Sequence, residues 1–134
     1  MKSLSSKRAL VTGGTRGIGA AIADALEAQG CEVVHWGRKN YDFTEADIWT
    51  DAVSCVQNGE FDILINNAGI SMRALLKDTE VEVIQKVMDI NFYGTVYCTK
   101  YALNSILERK GTIVGVSSIA GYRGLPGQIG RAHV

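Results

Sequence analysis

The glycine-rich segment of residues 13–19, with the sequence Gly-Gly-Thr-Arg-Gly-Ile-Gly, has the composition of a phosphate-binding loop. An apolar run at residues 8–11 precedes it, as in a buried strand, and apolar residues at helical spacing follow it. Between a strand and a helix, such a loop lets backbone N–H groups and the helix N-terminus face a phosphate. The alternative is a tight turn that happens to use glycine. The segment lacks the Lys-Ser/Thr ending of a P-loop, which disfavours a nucleoside triphosphatase.

Two more polar segments follow predicted strands. Asn66-Asn67-Ala68-Gly69 comes after the apolar run at residues 61–65, and Ser117-Ser118 comes after the run at residues 112–116. In open α/β sheets, ligands bind outside the carboxyl ends of the strands. We therefore expect these segments and the glycine-rich loop to converge on one crevice.

The elements that must position these residues alternate between strand and helix. We predict strands at residues 8–11, 31–36, 41–43, 61–65 and 112–116. Helices are predicted at residues 17–29, from Thr44 to about residue 58, and from Thr79 to about residue 110, with Thr79 and Glu82 forming a capping box. The apolar side of the long third helix includes Val96 and Leu103. Because the strands are apolar on both sides, the pattern predicts one α/β domain with a parallel sheet covered on both faces.

Composition excludes several classes of protein. The 134 residues contain 14 Lys plus Arg and 14 Asp plus Glu, a balance that argues against binding to nucleic acid or to an anionic membrane through bulk charge. No apolar run is long enough to span a membrane, and the N-terminal residues do not resemble a secretory signal. Three scattered cysteines are typical of core thiols in a reducing compartment, so we expect a cytoplasmic protein. Neither histidine has a second ligand type at metal spacing, so no metal is expected.

Four motifs in sequence order resemble those of the short-chain dehydrogenase/reductase family. They are Thr12-Gly13-x-x-x-Gly17-x-Gly19, Asn66-Asn67-Ala68-Gly69, Asn91 on the long helix, and Ser117-Ser118. The resemblance runs from about residue 7 to residue 128. It implies a Rossmann-like, doubly wound parallel sheet in a three-layer αβα arrangement. It also implies an oxidoreductase that transfers a hydride between a nicotinamide cofactor and a small-molecule carbonyl or secondary alcohol.

The end of the second strand bears on the choice of cofactor. An acidic residue at this position binds the ribose 2′-hydroxyl of NAD, whereas an arginine suits the 2′-phosphate of NADP. This strand ends in Trp36-Gly37-Arg38, with Gly37 where the acid is expected, and Arg16 is a second cation. The sequence therefore predicts NADP(H) over NAD(H). The alternative is that both arginines are solvated surface residues.

The resemblance implies a set of cofactor-binding residues on the loops that follow the strands: Gly13, Thr15, Arg16, Gly17, Ile18, Gly19, Arg38, Asp42, Phe43, Asn67, Ala68 and Gly69. Asp42 and Phe43 would flank the adenine, although Asp42 could equally be a solvated turn residue. Asn67, Ala68 and Gly69 would pass along the adenosine ribose or serve only as a structural strand end. The family usually inserts a helix between Arg38 and Asp42, where this chain has three residues.

The resemblance implies two catalytic residues, Ser118 and Asn91. Ser118 would hydrogen-bond the substrate oxygen, or be only a small residue at a strand end. Asn91 would hold a water in the proton relay, or tie two elements together. The family's catalytic tyrosine should fall at position 131, where this sequence has Arg131, and its lysine would fall four residues later. The chain thus lacks a credible proton donor for carbonyl reduction.

The two ends of this pattern set the predicted domain organisation. Residues 1–128 form a Rossmann domain that is incomplete at its C-terminal end, because the second βαβ half stops after its second strand. Residues 129–134 do not resemble the family, and one back-translation of them reads as a common sequencing adapter; we hypothesise that they are a translated adapter. This incomplete domain would expose apolar surface on its last strand and is not expected to stay monomeric. The parent enzyme is also expected to be a homo-oligomer. The competing prediction is a non-catalytic dinucleotide-binding module.

Overall fold

The structure, a computed structural model, describes residues 3–37, 48–123, 125, 128 and 129. Its elements, in chain order, are β1 (Arg8–Thr12), α1 (Gly17–Ala28), β2 (Glu32–Trp36), α2 (Ile48–Asn58), β3 (Ile63–Asn66), β4 (Met72–Arg73), α3 (Val81–Met88), α4 (Gly94–Glu108), β5 (Thr112–Gly115), α5 (Ile119–Tyr122) and β6 (Gln128–Ile129). A 3₁₀ turn spans Leu76–Asp78, and a π-helical turn, Asp89–Tyr93, joins α3 to α4. The predictions on Arg38, Asp42, Phe43, Thr44, the strand at residues 41–43 and residues 130–134 lie outside the described residues.

A parallel sheet with the strand order β2-β1-β3-β5 forms the centre of the described part of the chain. Ala9 of β1 lies opposite Val33 on one side and Ile63 on the other. The chain goes from β1 outward to β2 and then returns to β3 on the other side of β1, so the winding direction reverses between β1 and β3. This reversal is the switch point beside which ligands bind in open α/β sheets.

Helices cover the sheet on both faces. On one face, Leu10 and Leu64 pack in a buried cluster with Val56 of α2 and with Cys98 and Ile106 of α4. On the other face, Val11 and Ile65 pack with Ala23 of α1. The side chains of each strand alternate between the two clusters, as the pleat requires. The predicted α/β, Rossmann-like fold is confirmed, and the described part of the chain holds four strands of its main sheet.

The long helix differs from its prediction in two ways. Its start is not a capping box, because the Thr79 hydroxyl donates to the Leu75 carbonyl at 2.8 Å and closes the 3₁₀ turn, while Glu80 is the N-cap residue of α3. Val96 and Leu103 are not on the buried side, with 39% and 40% of their surfaces exposed. The buried line of α4 runs through Gly94, Cys98, Ala102 and Ile106. Val96 and Leu103, seven residues apart, share another face about 120–140° around the helix from the middle of this line.

Candidate functional site

The glycine loop, residues 13–19, follows β1 and folds back onto the first turn of α1. Gly13 and Gly17 have φ angles of +66° and +58°, a conformation that L side chains rarely adopt. A Cβ atom on Gly19 would lie 2.1 Å from the Gly13 carbonyl oxygen, so only glycine permits this close approach. The loop therefore needs glycine for two reasons: positive φ angles at Gly13 and Gly17, and a close backbone contact at Gly19.

The N-terminus of α1 faces open space beside this loop. Arg16 is its N-cap residue and makes no side-chain hydrogen bond to the helix. A Cβ atom on Gly17 would have no neighbour within 4 Å. Ile18, which belongs to the helical apolar pattern, is 68% exposed because this turn projects past the end of β1. Uncapped N–H groups beside open space can accept an anion.

Asn67 connects the end of β3 to the glycine loop. Its Nδ2 donates to the carbonyl oxygens of Thr12 at 3.1 Å and Gly13 at 3.3 Å. A Cβ atom on Gly13 would lie 2.9 Å from this Nδ2 and 3.0 Å from the Ala68 Cα atom. The structure thus brings Gly13, Gly19, Asn67 and Ala68 together at the switch point.

The Thr12 hydroxyl is a contributor that the list of site residues missed, although the motif contained it. Its Oγ1 accepts hydrogen bonds from the backbone N–H groups of Asn67 and Ala68, both at 3.0 Å. It donates to the Ile65 carbonyl at 3.3 Å, and Thr12 is 3% exposed. This one buried hydroxyl joins the carboxyl ends of β1 and β3.

The end of β2 holds the glycine loop from its other side. The Gly14 N–H donates to the Trp36 carbonyl at 2.8 Å, and His35 Nδ1 lies 3.0 Å from the Gly14 carbonyl oxygen. A Cβ atom on Gly37 would lie 2.1 Å from Thr15 Oγ1, so the Thr15 side chain occupies the space that a side chain at position 37 would need. Sequence reasoning missed His35, because no spacing rule links it to Gly14.

Asn91 lies in the π-helical turn and is 3% exposed. Its Oδ1 accepts from the Ile70 N–H and its Nδ2 donates to the Ile70 carbonyl, both at 2.8 Å. The amide therefore joins the helix to the loop that follows β3. This pairing is the tying contact that the sequence left open as an alternative.

Ser118 lies at the same sheet edge through the register of β5. Gly115 pairs with Asn66, and the Val116 N–H donates to the Asn66 carbonyl at 2.9 Å. Ser118 is half-buried and caps α5, its Oγ accepting from the Ala120 N–H at 3.2 Å. Ser118 and Asn67 are not in direct contact, but the strand register places both at the carboxyl-end edge of the sheet.

The described residues contain no group of three or more His, Cys, Asp or Glu side chains that could hold a metal ion. None of the helices in this part of the chain is long and apolar enough to cross a membrane. All three cysteines are unpaired thiols, and burial raises the pKa of Cys98 to about 12.

Strand order, helices on both faces and a glycine loop at the switch point define a Rossmann-like α/β domain. The profile of the short chain dehydrogenase family matches residues 7–48 and 39–130. The chain belongs to this family, whose members are NAD(P)-dependent oxidoreductases acting on alcohol and carbonyl groups. The two matches overlap at residues 39–48.

Among curated proteins, the chain is 37% identical to mouse dehydrogenase/reductase SDR family member 7B, over 87% of this chain and 45% of that protein. It is 33% identical to a 3-oxoacyl-[acyl-carrier-protein] reductase from Synechocystis, over 96% of this chain and 62% of that protein. The chain thus spans about half to two thirds of the length of these relatives.

Two solved structures have the same fold. One, from Beutenbergia cavernae, is provisionally assigned as an NAD(P)-dependent gluconate 5-dehydrogenase and holds NADP at low occupancy; it matches with a TM-score of 0.88 and 24% identity over 97% of this chain and 61% of that chain. The other, from Sinorhizobium meliloti, is provisionally assigned as a short-chain alcohol dehydrogenase. It matches with a TM-score of 0.82 and 26% identity over 94% of this chain and 60% of that chain.

Proposed function

We propose that this chain carries the dinucleotide-binding part of an NADP(H)-dependent oxidoreductase that transfers a hydride between nicotinamide and a small-molecule carbonyl or secondary alcohol. The contact between Asn67 and the glycine loop is the observation that supports this function best. It fixes an uncapped helix N-terminus beside the switch point, where a dinucleotide pyrophosphate can bind. When bound, the nicotinamide supplies or accepts the hydride.

The residues at this edge fit such a cofactor. The open space beside Gly17 and the first turn of α1 suits a pyrophosphate, and Ile18 offers exposed apolar surface next to it. Asn67 and Ala68 lie beside the loop, and together with Gly69 they would follow the adenosine ribose. The proposed cofactor-binding set remains Gly13, Thr15, Arg16, Gly17, Ile18, Gly19, Arg38, Asp42, Phe43, Asn67, Ala68 and Gly69.

The contact between Thr15 and Gly37 supports the preference for NADP(H). A carboxylate at position 37 would bind the ribose 2′-hydroxyl of NAD, but the Thr15 side chain leaves no room for it. Arg16 is exposed in the same loop and carries a positive charge that suits a 2′-phosphate. Arg38 follows Gly37 directly in the sequence and would add a second cation.

Ser118 and Asn91 are the proposed catalytic residues. The Ser118 oxygen already accepts a hydrogen bond from the Ala120 N–H, which leaves its own proton to donate to a substrate oxygen. Asn91 is fixed by its paired bonds to Ile70 and would support proton relay from the buried side of the helix. Position 131, where the family pattern has its tyrosine, is Arg131.

The second candidate is a non-catalytic dinucleotide-binding module, which Arg131 favours. Titration of the 134-residue chain with NADPH and NADH by calorimetry tests both candidates. We expect NADPH to bind at least about tenfold more tightly than NADH, since one charge-assisted contact is worth about 1.5–3 kcal/mol. If neither dinucleotide bound, the proposed function would be contradicted, and equal affinities would contradict only the cofactor preference.

Turnover separates the enzyme from the module. We expect no oxidation of NADPH by the 134-residue chain with a panel of ketones and aldehydes, because the proton donor is missing. A longer chain with tyrosine at position 131 and lysine four residues later should turn over a carbonyl.

Sequencing the source locus past codon 128 tests the adapter hypothesis. The hypothesis predicts that the locus does not encode residues 129–134, and a locus that encodes them would contradict it.

We also propose a cytoplasmic location and a homo-oligomeric parent enzyme that binds neither nucleic acid nor membrane. Three unpaired thiols suit a reducing compartment, and the balanced charge gives no basic surface for a polyanion. Cell fractionation with thiol labelling tests the location: recovery in an oxidising compartment with blocked thiols would contradict it.

A further inference from the structure

His35 joins the glycine loop to the side of α1. Its Nδ1 lies 3.0 Å from the Gly14 carbonyl oxygen, and its Nε2 lies 2.8 Å from Oε1 of Glu27. The Gly14 N–H also donates to the Trp36 carbonyl, so Gly14 is held through both its N–H and its carbonyl oxygen. The orientation of the loop thus depends in part on a side chain that can titrate.

Both partners of the ring accept hydrogen bonds and neither can donate one. A carbonyl oxygen and an ionised carboxylate have only lone pairs to offer, so each ring nitrogen must carry a proton for both bonds to exist. Neutral imidazole has one N–H and can make only one of them. Both hydrogen bonds together therefore require the imidazolium ion.

The surroundings of His35 favour that ion. The hydrogen bond that the ring donates to Glu27 raises the pKa of His35 above its ordinary 6.5, the Gly14 carbonyl and the charge of Asp24 act in the same direction, and burial opposes them. Glu27 and Asp24 both lie on α1, and the β1 residue opposite His35 is the apolar Val11. Glu27 lies near the C-terminus of α1, where a negative charge is unfavourable and a nearby cation offsets it.

We propose that His35 is a positioning residue for the glycine loop and that its protonated ring, bridging Gly14 and Glu27, makes dinucleotide binding tighter at low pH than at high pH. The inference rests on the proposed function, because it needs the loop to be the dinucleotide site. It adds a dependence of dinucleotide affinity on pH, which neither the glycine motif nor the strand-end residues provide.

The direction follows from the two bonds. Below the titration of His35 both bonds are made, and the Gly14 peptide is held in its binding orientation. As pH rises through the raised pKa, one proton leaves. The ionised Glu27 carboxylate is the stronger acceptor and keeps the remaining N–H, so the Gly14 carbonyl loses its donor. Loss of one hydrogen bond that orders the loop should weaken dinucleotide affinity roughly twofold to tenfold.

NADH is the probe for this experiment, with NADPH measured beside it. A 2′-phosphate titrates near pH 6 and would add its own slope, whereas NADH has no group that titrates between about pH 6.5 and 9.5. Dissociation constants are measured over this range for the 134-residue chain and for two variants. One is Glu27→Gln and the other is His35→Gln.

Glu27→Gln is the sharper variant, because Glu27 is half-exposed and its replacement should not disturb folding. A glutamine N–H can donate to the unprotonated Nε2, which leaves Nδ1–H on the Gly14 carbonyl at every pH. We expect its affinity to stay near the low-pH value of the parent chain and to vary less than twofold with pH. His35→Gln should also be flat with pH.

A matching spectroscopic signature comes from the ¹⁵N shifts of the imidazole rings. The chain has two histidines, so the signals that vanish in His35→Gln belong to His35 and the others to His133. We expect both His35 nitrogens to keep protonated shifts to higher pH in the parent chain than in Glu27→Gln, where one nitrogen loses its proton earlier.

The outcomes separate the two proposals. Binding that does not change with pH in the parent chain, or the same slope in Glu27→Gln, overturns the role of His35 and leaves the proposed function standing. If neither NADH nor NADPH binds at any pH, both the role of His35 and the proposed function are overturned. A slope in the parent chain that both variants abolish supports the inference.

Discussion

At the scale of single residues, buried polar groups fix the candidate site more tightly than its charged groups do. Thr12, Asn67 and Asn91 each bind backbone atoms of a neighbouring segment, with Thr12 and Asn91 almost fully buried. Leaving a buried donor or acceptor unpaired costs about 1–3 kcal/mol, so separation of these groups from their partners is unfavourable. Arg16 is exposed and has no comparable constraint.

Replacing Thr12 tests this view directly. Thr12→Val keeps the shape but removes the oxygen that accepts from the Asn67 and Ala68 N–H groups. We expect the free energy of unfolding, measured with urea, to fall by about 2–4 kcal/mol. Thr12→Ser keeps the hydroxyl and should lose much less, so equal losses in the two variants would contradict the role of the hydroxyl.

The close approach at Gly19 makes a second prediction at this scale. In Gly19→Ala the new methyl group would overlap the Gly13 carbonyl oxygen. We expect a loss of about 1–3 kcal/mol in unfolding free energy and weakened dinucleotide binding, because the loop must shift. Gly115→Ala adds a methyl group with no neighbour within 4 Å and serves as the control, with an expected change within about 0.5 kcal/mol. Similar binding losses in both variants would argue against a specific loop geometry.

At the scale of elements, the sheet is held at both ends by different means. Loops meet at the carboxyl ends of the strands, whereas Asp62 joins the amino ends. Its carboxylate is bound by Lys7 Nζ and by the Arg8 N–H, both at 2.9 Å. Its backbone carbonyl accepts from the Thr112 N–H at 2.9 Å, so one residue connects β1, β3 and β5.

The charge of Asp62 makes stability depend on acid. Burial raises its pKa, but the bonds from Lys7 and the Arg8 N–H, with the charges of Lys7 and Arg109, outweigh burial and hold the pKa below its usual 3.8. A carboxyl with a lowered pKa in the folded state stabilises the fold above its unfolded pKa, and this stability is lost as pH falls through the folded pKa.

At pH 7 the free energy of unfolding of Asp62→Asn, measured with urea, should therefore be about 1–3 kcal/mol lower than that of the parent chain. This difference should shrink as the pH falls below 3.8. Glu60→Gln is the matched control, because Glu60 pairs with Arg109 but its side chain is 76% exposed. We expect its effect to stay within about 0.5 kcal/mol. A pH-independent difference for Asp62→Asn would show that its charge does not matter.

At the scale of the whole molecule, β5 is the least covered strand of the main sheet. All four of its residues are exposed, and Ile113 and Val114 expose 38% and 40% of their surfaces on opposite faces. The buried clusters lie on the two central strands, β1 and β3. Apolar strand surface of this kind favours association between copies.

We expect the 134-residue chain to self-associate as its concentration rises, and Val114→Lys to reduce this association. A lysine on an exposed strand opposes pairing with a second strand. Sedimentation velocity over a range of concentrations measures the effect. Val81→Lys adds the same charge at a residue that is 73% exposed on α3 and should leave association unchanged. Equal effects of both substitutions would mean that net charge, and not β5, controls association.

The sequence by itself determined the fold class, the strand that precedes the glycine loop and the loops that meet at the sheet edge. These features depend on local patterns: apolar period, glycine where φ is positive or space is short, and polar residues directly after strands. Cofactor preference and the roles of Ser118 and Asn91 stay predictions, since they concern groups that bind from outside the chain.

Only the tertiary structure decided which side chains hold the loops in place. The Thr12 hydroxyl, the pairing of Asn91 with Ile70 and the bridge of His35 from Gly14 to Glu27 join residues that are distant in the sequence. Thr79 matched a capping pattern, but Glu80 is the N-cap residue of α3 and the Thr79 hydroxyl donates to the Leu75 carbonyl of the preceding 3₁₀ turn. Spacing along a chain predicts contacts within one element, whereas contacts between elements depend on how the sheet and helices pack.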